Sequence, residues 1–349
     1  MRSLVVGAGS IGRRHLANLR ALGAGPVSAW DADPAARAAV QAEPGVTVPG
    51  SLDAALATGP ELVLVCTPSH LHLDVAHQAV DAGAHVFVEK PVAITVDGVD
   101  GLAAHARARG RRVFVGCNMR FHPGPAALKR VVESGVVGAP RQLYARFSHL
   151  LSQWRPGTDY RRTYSAQRAQ GGGVALEAVH EIDYLRWIAG EIVAVAGWVG
   201  RLGDLELEVE DTAVLALRFA AGAIGHVSLD YLSPVKLRGC EVVGTEGAVR
   251  WTSEGKSPEA FRVERIDRSG ARHAVADSAG WDANAMYVDE LRALQRAVAG
   301  EPTALLELDG ARRVLELALA ARTAGEAGSG GWRAIPAGAE APALTRAGR

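Results

Sequence analysis

The chain has 349 residues, with 38 Lys and Arg against 38 Asp and Glu, and 48% of its residues are hydrophobic. This length predicts two domains, each with a full hydrophobic core. The zero net charge argues against nucleic acid as a partner, because phosphate binding needs a basic surface. No apolar run approaches the roughly 18 residues of a membrane span, so we expect no membrane contact.

The cysteines and histidines point away from structural metal and disulfide chemistry. Cys66, Cys117 and Cys240 are widely spaced and include no CxxC pair. Their odd number and spacing exclude a disulfide framework and a structural zinc site, and they favour a reducing cytoplasm. His70 and His72 lie two residues apart without a third ligand nearby, so we expect no metal site.

In the first third of the chain, short β-type runs alternate with helical patterns. The predicted strands are 4–6, 27–30, 62–66, 86–88 and 113–117, and the predicted helices are 11–22, 34–41, 72–82 and 96–109. This alternation indicates βαβ units with a parallel sheet. The fold class is therefore α/β, with a doubly wound parallel sheet in a first domain over residues 1–119.

Beyond residue 119 the pattern changes to period-two alternation between glycine-containing turns. The predicted strands are 142–148, 193–199, 213–219, 223–231 and 238–243, and the predicted helices are 124–134, 179–189, 285–298 and 309–321. This pattern indicates a large, mostly antiparallel sheet with one covered face, in an α+β domain over residues 120–349. The Gly/Ala/Pro-rich tail from Gly325 is expected to be loosely held.

A glycine motif predicts a dinucleotide site at the first strand–helix turn. Gly7-Ala8-Gly9-Ser10-Ile11-Gly12 follows the first predicted strand and opens the first predicted helix. Such glycines permit a tight turn and close approach of the backbone to a pyrophosphate, and the helix N-terminus offers N–H groups to the phosphates. Asp31 ends the second strand 19 residues after Gly12, where a ribose-binding carboxylate is expected. The alternative is a plain glycine-rich turn with Asp31 capping the next helix.

The acidic residues at the end of the second strand favour NAD over NADP. Asp31 would repel the 2′-phosphate of NADP, and Asp33 adds a second negative charge where an NADP site needs arginine. Arg13 and Arg14 are possible phosphate contacts, so NADP is less favoured but stays open.

Two further motifs identify a family. Cys66-Thr67-Pro68-Ser69-His70-Leu71-His72 follows the third strand, and Val88-Glu89-Lys90-Pro91 ends the next one. With the glycine motif they resemble the Gfo/Idh/MocA oxidoreductase family, and the resemblance covers nearly the whole chain. It implies a Rossmann domain, then an α/β domain whose open sheet mediates oligomerisation, and hydride exchange between a nicotinamide and a sugar, cyclitol or related polyol.

The resemblance also implies an oligomeric assembly and particular residue roles. The implied assembly is a homodimer or homotetramer that forms through the C-terminal sheet. The implied cofactor contacts, besides the glycine motif and Asp31, are Thr67, Pro68, His72, Glu89, Lys90, Pro91 and Asn118.

The second domain carries a matching element. Gly171-Gly172-Gly173-Val174-Ala175-Leu176-Glu177-Ala178-Val179-His180-Glu181-Ile182-Asp183 resembles the family's glycine-rich entry into the helix with the catalytic histidine. Most members have Asp four residues before that histidine. In a sub-branch of the family that acts in nucleotide-sugar and sugar-acid pathways, this Asp lies three residues before the histidine. The present chain has Glu177 at that position. The run Cys117-Asn118-Met119-Arg120-Phe121-His122-Pro123 resembles the same sub-branch.

The expected chemistry needs a base and a hydrogen-bond donor at the reacting oxygen. His180 is the natural base because its unperturbed pKa is nearest neutrality. Lys90, one of only four lysines in the chain, would stabilise developing negative charge on that oxygen. Glu177 lies three residues from His180 on the predicted helix and hence on one face, and Asp183 extends that row and could orient the imidazole. A packing role for His180 and a surface position for Lys90 are the alternatives.

A basic and aromatic segment before the glycine triplet suggests the kind of substrate. Arg recognises carboxylate and phosphate in a bidentate manner, and aromatic rings pack on sugar rings or bases. We therefore hypothesise an anionic sugar-type substrate: a nucleotide sugar, sugar phosphate or sugar acid. The alternative is a solvated basic loop. The candidate substrate-binding residues are Arg120, Trp154, Arg155, Tyr160, Arg161, Tyr164 and His180.

Two rival functions share these motifs. One is an enzyme that uses tightly held NAD for transient oxidation without net redox, as an epimerase, eliminase or glycosidase would. The other is a non-catalytic regulator that senses the nucleotide, although the presence of both Lys90 and His180 speaks against it. The motifs do not give the sugar, the position oxidised or the physiological direction, because one fold hosts many substrates.

Overall fold

The computed structural model describes residues 1–255, 259–326 and 333–334. Lys256 and almost all of the predicted tail lie outside these residues. The chain forms two compact units. The first contains Met1–Phe121, Ala169–Gly171 and Asn284–Glu316, and the second contains His122–Arg168, Gly172–Ala283 and the described residues from Leu317 onward.

The helices and strands follow in chain order. The strands are β1 (Ser3–Val6), β2 (Val27–Trp30), β3 (Val46–Thr47), β4 (Leu62–Val65), β5 (His85–Glu89), β6 (Val113–Gly116), β7 (Pro140–Ser148), β8 (Ile192–Gly200), β9 (Thr212–Phe219), β10 (Ile224–Asp230), β11 (Leu237–Gly244), β12 (Gly247–Glu254), β13 (Ala260–Asp267), β14 (Arg272–Asp277), β15 (Leu306–Glu307) and β16 (Arg333–Ala334). The α-helices are α1 (Ser10–Ala21), α2 (Pro34–Gln41), α3 (Leu52–Leu56), α4 (His72–Asp81), α5 (Val99–Ala108), α6 (Pro123–Glu133), α7 (Val174–Glu177), α8 (Val179–Ala189), α9 (Ala285–Val298) and α10 (Leu308–Glu326).

The first unit is built on a sheet in the order β15-β6-β5-β4-β1-β2-β3. All its pairs are parallel except β15 with β6. Every residue of β1 and β4 is buried, as expected for apolar strands covered on both faces. The chain runs from β1 outward to β3 and then returns to β4 on the other side of β1, which leaves a crevice at the carboxyl end of β1 where ligands bind in such sheets. The predicted doubly wound sheet is confirmed.

The second unit is built on a sheet in the order β14-β13-β12-β11-β7-β10-β9-β8-β16. Of its pairs in the described chain, only β7 with β10 is parallel. Along β7, Leu143, Ala145 and Phe147 are buried whereas Arg146 is exposed. Helices α6 and α8 pack on this sheet. The predicted mostly antiparallel sheet with one covered face is confirmed.

The first unit also takes in a late part of the chain, whereas the sequence suggested a single boundary at residue 119. Leu291, Leu294 and Leu305 are buried in the same apolar cluster as Leu16 and Leu19 of α1. Strand β15 extends the first sheet beside β6. The burial of one face of α9 against α1 is a long-range contact, which local sequence patterns do not reveal.

No described helix has both the length and the apolar character needed to cross a membrane.

Candidate active site

The glycine motif forms a cradle in which side chains have no room. Gly7, with φ of 99°, lies so close to the chain at Cys66 that a Cβ would be 2.5 Å from the Cys66 carbonyl carbon. A Cβ on Gly12 would be only 1.8 Å from the carbonyl oxygen of Gly7. By contrast, a Cβ on Gly9 would meet no atom within 4 Å, so the loop is open on that side. This is the arrangement that lets a backbone approach a pyrophosphate.

The N-terminus of α1 faces the same loop. The N-cap is Gly9, no side chain caps the helix there, and Ser10 and Ile11 form its first turn. The first N–H groups of a helix lack partners within the helix, and its dipole favours anions at this end. The loop therefore fits the phosphates of a dinucleotide.

Asp31 lies against the glycine loop and does not cap a helix. Its Oδ2 accepts a hydrogen bond from the backbone N–H of Ala8 at 2.6 Å, and its Oδ1 accepts one from Asp33 at 2.8 Å. The cap of α2 is Asp33, whose carboxylate accepts from the N–H of Ala35 at 3.0 Å. Each Asp31 oxygen retains acceptor capacity for a ribose hydroxyl.

The Thr-Pro and Glu-Lys-Pro motifs are joined by a buried histidine. The ring nitrogens of His72 lie 2.8 Å from the Thr67 carbonyl oxygen and 2.9 Å from the Pro91 carbonyl oxygen. Burial lowers the pKa of His72, although both carbonyls oppose that shift. Because both nitrogens face the backbone, His72 is placed to hold these two loops together, with Pro68 following Thr67 and Lys90 preceding Pro91.

The hydroxyl oxygen of Thr67 and the side-chain oxygen of Asn118 are among the buried polar atoms of this unit that have no hydrogen-bond partner in the described chain. Buried polar atoms are nearly always hydrogen-bonded, so atoms of this kind fit a site that a ligand completes. Asn118 belongs to a short turn after β6, in which Arg120 donates to the Ala304 carbonyl oxygen at 3.1 Å.

The predicted helix with Glu177 and His180 is interrupted between them. Glu177 ends α7, His180 is the second residue of α8, and Ala178 between them has non-helical backbone angles (φ −97°, ψ 32°). The expectation that both lie on one face of a single helix is therefore wrong. His180 and Asp183 do share α8, three residues apart, and both are buried.

Glu177 lies in a buried polar group that the sequence did not reveal. Its Oε1 accepts a hydrogen bond from the Ser165 hydroxyl at 3.1 Å. Burial raises the pKa of Tyr231, and the nearby charges of Glu177 and Glu210 raise it further. Tyr231 is fully buried. No local pattern links these residues, which come from separate parts of the chain.

The glycine triplet before α7 is held by a buried ion pair. Gly173 has φ of 109°, and a Cβ there would lie 2.3 Å from Oε1 of Glu210. Arg322 pairs with Glu210 at 3.0 Å and donates to the Gly172 carbonyl oxygen at 3.3 Å. Burial raises the pKa of Glu210, and Arg322 opposes this shift. The entry to the His180 helix is thus fixed by residues far away in sequence.

The arginines predicted to bind substrate differ in their partners. The guanidinium of Arg161 binds Asp159 through two nitrogens, at 2.9 and 3.0 Å, and Glu206 at 3.2 Å. These partners raise the pKa of Arg161. Arg155 instead lies over the ring of Tyr164, at 5.5 Å from its centre, and pairs with no acid in the described chain. Arg155 is thus the better placed of the two for an anionic ligand.

The predicted aromatic residues are anchored beside this segment. Trp154 donates from its ring nitrogen to the His149 carbonyl oxygen at 3.0 Å and packs edge-on against Tyr231, with ring centres 5.2 Å apart. The Tyr160 hydroxyl accepts from the N–H of Glu206 at 3.2 Å. In the parts of the chain that the structure describes, no group of three or more His, Cys, Asp or Glu could hold a metal ion.

Comparison with known proteins gives a consistent result. Residues 1–117 match the model of the oxidoreductase family with an NAD-binding Rossmann fold, and residues 126–250 match that of the Gfo/Idh/MocA C-terminal domain. The chain is 30% identical over 310 residues to inositol 2-dehydrogenase of Ralstonia nicotianae, covering 85% of each protein. It is 28% identical over 247 residues, 60% of each, to levoglucosan dehydrogenase of Pseudarthrobacter phenanthrenivorans.

A solved structure is similar over almost the full length. GenD2 from gentamicin A biosynthesis, in complex with NAD, superposes with a TM-score of 0.78 at 26% identity, over 97% of each chain. The cradle at Gly7 and Gly12, the position of Asp31 and these likenesses agree on a nicotinamide cofactor. The chain belongs to the Gfo/Idh/MocA family and is an NAD-dependent oxidoreductase acting on CH–OH groups.

Proposed function

We propose that the protein is a dehydrogenase that exchanges a hydride between NAD and a secondary alcohol or ketone of a cyclitol or sugar. The observation that carries this proposal is the glycine cradle with Asp31 hydrogen-bonded to its Ala8 N–H group. The similarity to an inositol 2-dehydrogenase over 85% of both chains supports the substrate class.

Lys90 and His180 are the proposed proton-handling residues. When bound, NAD supplies the hydride acceptor for oxidation of the alcohol. The ammonium of Lys90 donates a hydrogen bond to the reacting oxygen and stabilises its developing negative charge. The imidazole of His180 takes the hydroxyl proton as general base, since histidine titrates near neutrality. Glu177 and Asp183 are the proposed supporting carboxylates.

The proposed cofactor contacts are those of the first unit. Gly7 and Gly9 bring the backbone to the pyrophosphate, and Asp31 accepts hydrogen bonds from the adenosine ribose. Thr67 and Asn118, whose buried oxygens have no partner in the described chain, offer acceptors on the nicotinamide side.

Within this substrate class, a sugar derivative with an anionic group is proposed over a neutral cyclitol. The support for this is Arg155, whose guanidinium pairs with no described acid and lies over Tyr164. A guanidinium in that state can bind a carboxylate or phosphate through two hydrogen bonds. Arg161 keeps its own carboxylate partners. We therefore assign the stronger substrate role to Arg155.

The test is a screen of myo-inositol, sugars, sugar acids and nucleotide sugars for NADH formation, with NADP in parallel. The proposal expects NADH in proportion to product, with NAD preferred, and loss of turnover in Lys90→Ala and His180→Ala. Product without net NADH would point instead to transient oxidation. Turnover by Lys90→Ala at the wild-type rate would refute the assigned mechanism.

We also propose a homo-oligomer that assembles through the outer face of the second sheet, in a reducing cytoplasm. Trp198, Val214 and Ile224 are exposed there at 42, 48 and 45%. Trp198 and Val214 pair directly across β8 and β9, so their side chains form one apolar surface. Exposed apolar patches of this kind mark interaction sites. Sedimentation of the wild type and of Trp198→Glu tests it, since the variant should be monomeric.

A further inference from the structure

A hydrogen bond between largely buried side chains links the helix of the glycine loop to the end of β5. His15 lies on α1, three residues after Gly12, and is fully buried. Its Nε2 is 2.7 Å from Oε1 of Glu89, the last residue of β5. Lys90 follows directly, and its backbone N–H donates to the other Glu89 oxygen at 3.3 Å. One carboxylate thus contacts both α1 and the backbone of Lys90.

The direction of the hydrogen bond follows from its two partners. A carboxylate accepts, so Nε2 of His15 carries the hydrogen and donates. Nδ1 of the same ring is buried and has no hydrogen-bond partner in the described chain. An Nδ1–H in that position would be a buried unsatisfied donor, which agrees with a hydrogen on Nε2. The ring is further held edge-on by Phe87 and Tyr287, with centres 5.5 and 6.2 Å away.

The neighbouring strand leaves room for this carboxylate. A Cβ on Gly116 of β6 would lie 3.3 Å from the carboxyl carbon of Glu89 and 2.8 Å from the Phe87 ring. The Glu89 side chain is only 13% exposed. A carboxylate so buried is costly without a partner, and His15 offsets that cost. This hydrogen bond therefore differs from the surface ion pairs of this chain, which contribute little to stability.

We infer that His15 is a positioning residue for Lys90. By fixing the Glu89 carboxylate, it sets the direction in which Lys90 leaves β5 and couples that direction to the helix of the dinucleotide loop. This inference rests on the proposed function of Lys90. Misplacement of a catalytic group by about 1 Å can cost about 100-fold in rate, so loss of this anchor has a kinetic signature.

The scarcity of lysine allows a test that needs no substrate. Each of the four lysines can be followed separately by limited acetylation with acetic anhydride and mass spectrometry. Lys129, which pairs with Glu133 in the second unit, is the internal reference. The variants are His15→Leu, which removes the donor, His15→Gln, which restores an N–H, and Glu89→Ala, which removes the acceptor but keeps His15 in its packed place.

The inference expects the acetylation of Lys90 relative to Lys129 to change in both His15→Leu and Glu89→Ala, and to stay at the wild-type ratio in His15→Gln. With a substrate found in the screen, kcat should fall about 10- to 100-fold in the first two variants, with KM nearly unchanged. If His15→Leu fails to fold, Glu89→Ala gives the same comparison.

A merely structural role would lower the melting temperature without moving the acetylation ratio or kcat, and that result would overturn the inference. Lys90→Ala separates this failure from failure of the proposed function. An inactive Lys90→Ala with fully active His15→Leu and Glu89→Ala refutes only the positioning role of His15. An active Lys90→Ala refutes the mechanism on which the inference rests.

Discussion

The two units fix their candidate site residues by different means. In the first, backbone sterics shape the cradle, because a Cβ on Gly12 would meet Gly7 of the same motif and a Cβ on Gly7 would meet the chain at Cys66. In the second, the glycine triplet is held by Glu210 and Arg322, which come from other parts of the chain. A local steric rule is visible in the sequence, whereas a network of buried charges appears only once the chain is folded.

The largest expected effect tests whether backbone sterics shape the glycine cradle of the first unit. Gly12→Ala places a Cβ 1.8 Å from the Gly7 carbonyl oxygen, so the loop must move. We expect roughly 3 kcal/mol or more of lost stability and no measurable NADH binding. Gly9→Ala is the matched control, because its Cβ meets nothing within 4 Å. It should fold normally and weaken only NADH binding, as measured by fluorescence titration. Normal NADH affinity in Gly12→Ala would refute the cradle.

The second test concerns the network of buried charges in the second unit. Gly173→Ala combines a φ of 109° with a Cβ 2.3 Å from the Glu210 carboxylate, and should destabilise the protein by roughly 2–3 kcal/mol in urea unfolding. Gly190→Ala has a similar φ of 91° but open space around its Cβ, and should cost about 1–2 kcal/mol. Equal losses in the two variants would mean that the contact with Glu210 contributes nothing.

The acid at the cradle gives a cofactor-specific prediction. Asp31→Ala removes the acceptor for the Ala8 N–H and should weaken NAD binding by about 10- to 100-fold, corresponding to roughly 1–3 kcal/mol. The affinity for NADP should fall less, since the variant has no carboxylate at this position to repel the 2′-phosphate. Asp33→Ala removes only the cap of α2 and should leave NAD affinity unchanged while costing about 1 kcal/mol of stability. Calorimetric titration with both cofactors measures these differences.

The two arginines distinguish a substrate contact from an internal ion pair. Arg155→Ala should raise KM for an anionic substrate about tenfold or more, because its guanidinium pairs with no described acid. Arg161→Ala should change KM by less than about threefold, since exposed ion pairs contribute little. The opposite order would move the anion site to Arg161.

The smallest expected effect is a loss of stability in acid. Nδ1 of His122 accepts from the Gly124 N–H and its Nε2–H donates to Glu259, while burial lowers the pKa of His122. The unfolded chain takes up a proton near the ordinary pKa of 6.5 and the folded chain only at lower pH, so stability falls as pH drops from 7 toward 5.

Glu259 extends this effect to lower pH. Burial raises the pKa of Glu259, but His122, Lys236 and Ser253 outweigh burial and bring it to about 2. The contribution of Glu259 to stability is complete above its ordinary pKa of 4.5, and it is lost as pH falls toward 2. His122→Asn keeps an acceptor for Gly124 without a titrating ring. Its unfolding free energy should fall less steeply between pH 7 and pH 5 than that of the wild type, because buried His72 still contributes. An unchanged slope would exclude His122 as a cause.

The parts predicted correctly from sequence are those encoded locally. The parallel strands follow from short apolar runs, and α8 begins at Val179 and ends at Ala189 as expected. Glu177 was nevertheless placed on the same helix as His180, because alanine is the strongest helix former and Ala178 gives no signal of a break. Strands β12 to β14 were not predicted, since charged residues facing outward, such as Arg262 and Glu264, obscure their apolar pattern.

Long-range contacts account for the remaining differences. The packing of α9 on α1 and the hydrogen bonds between Asn18 and Asn284 join residues far apart in sequence. The contact between His15 and Glu89 was not predicted, because Glu89 lies on a strand 74 residues further along the chain. Partners of this kind depend on the topology of the sheet.

The most direct test of the central claim is NADH formation, followed together with product, for the wild type and Lys90→Ala on each active compound of the substrate screen. We expect NADH and product in equal amounts from the wild type, and a loss of about 100-fold or more in Lys90→Ala, because an electrostatic stabiliser of the reacting oxygen is removed. Product without NADH, or a fully active Lys90→Ala, would contradict the assignment of a Lys90-dependent NAD dehydrogenase.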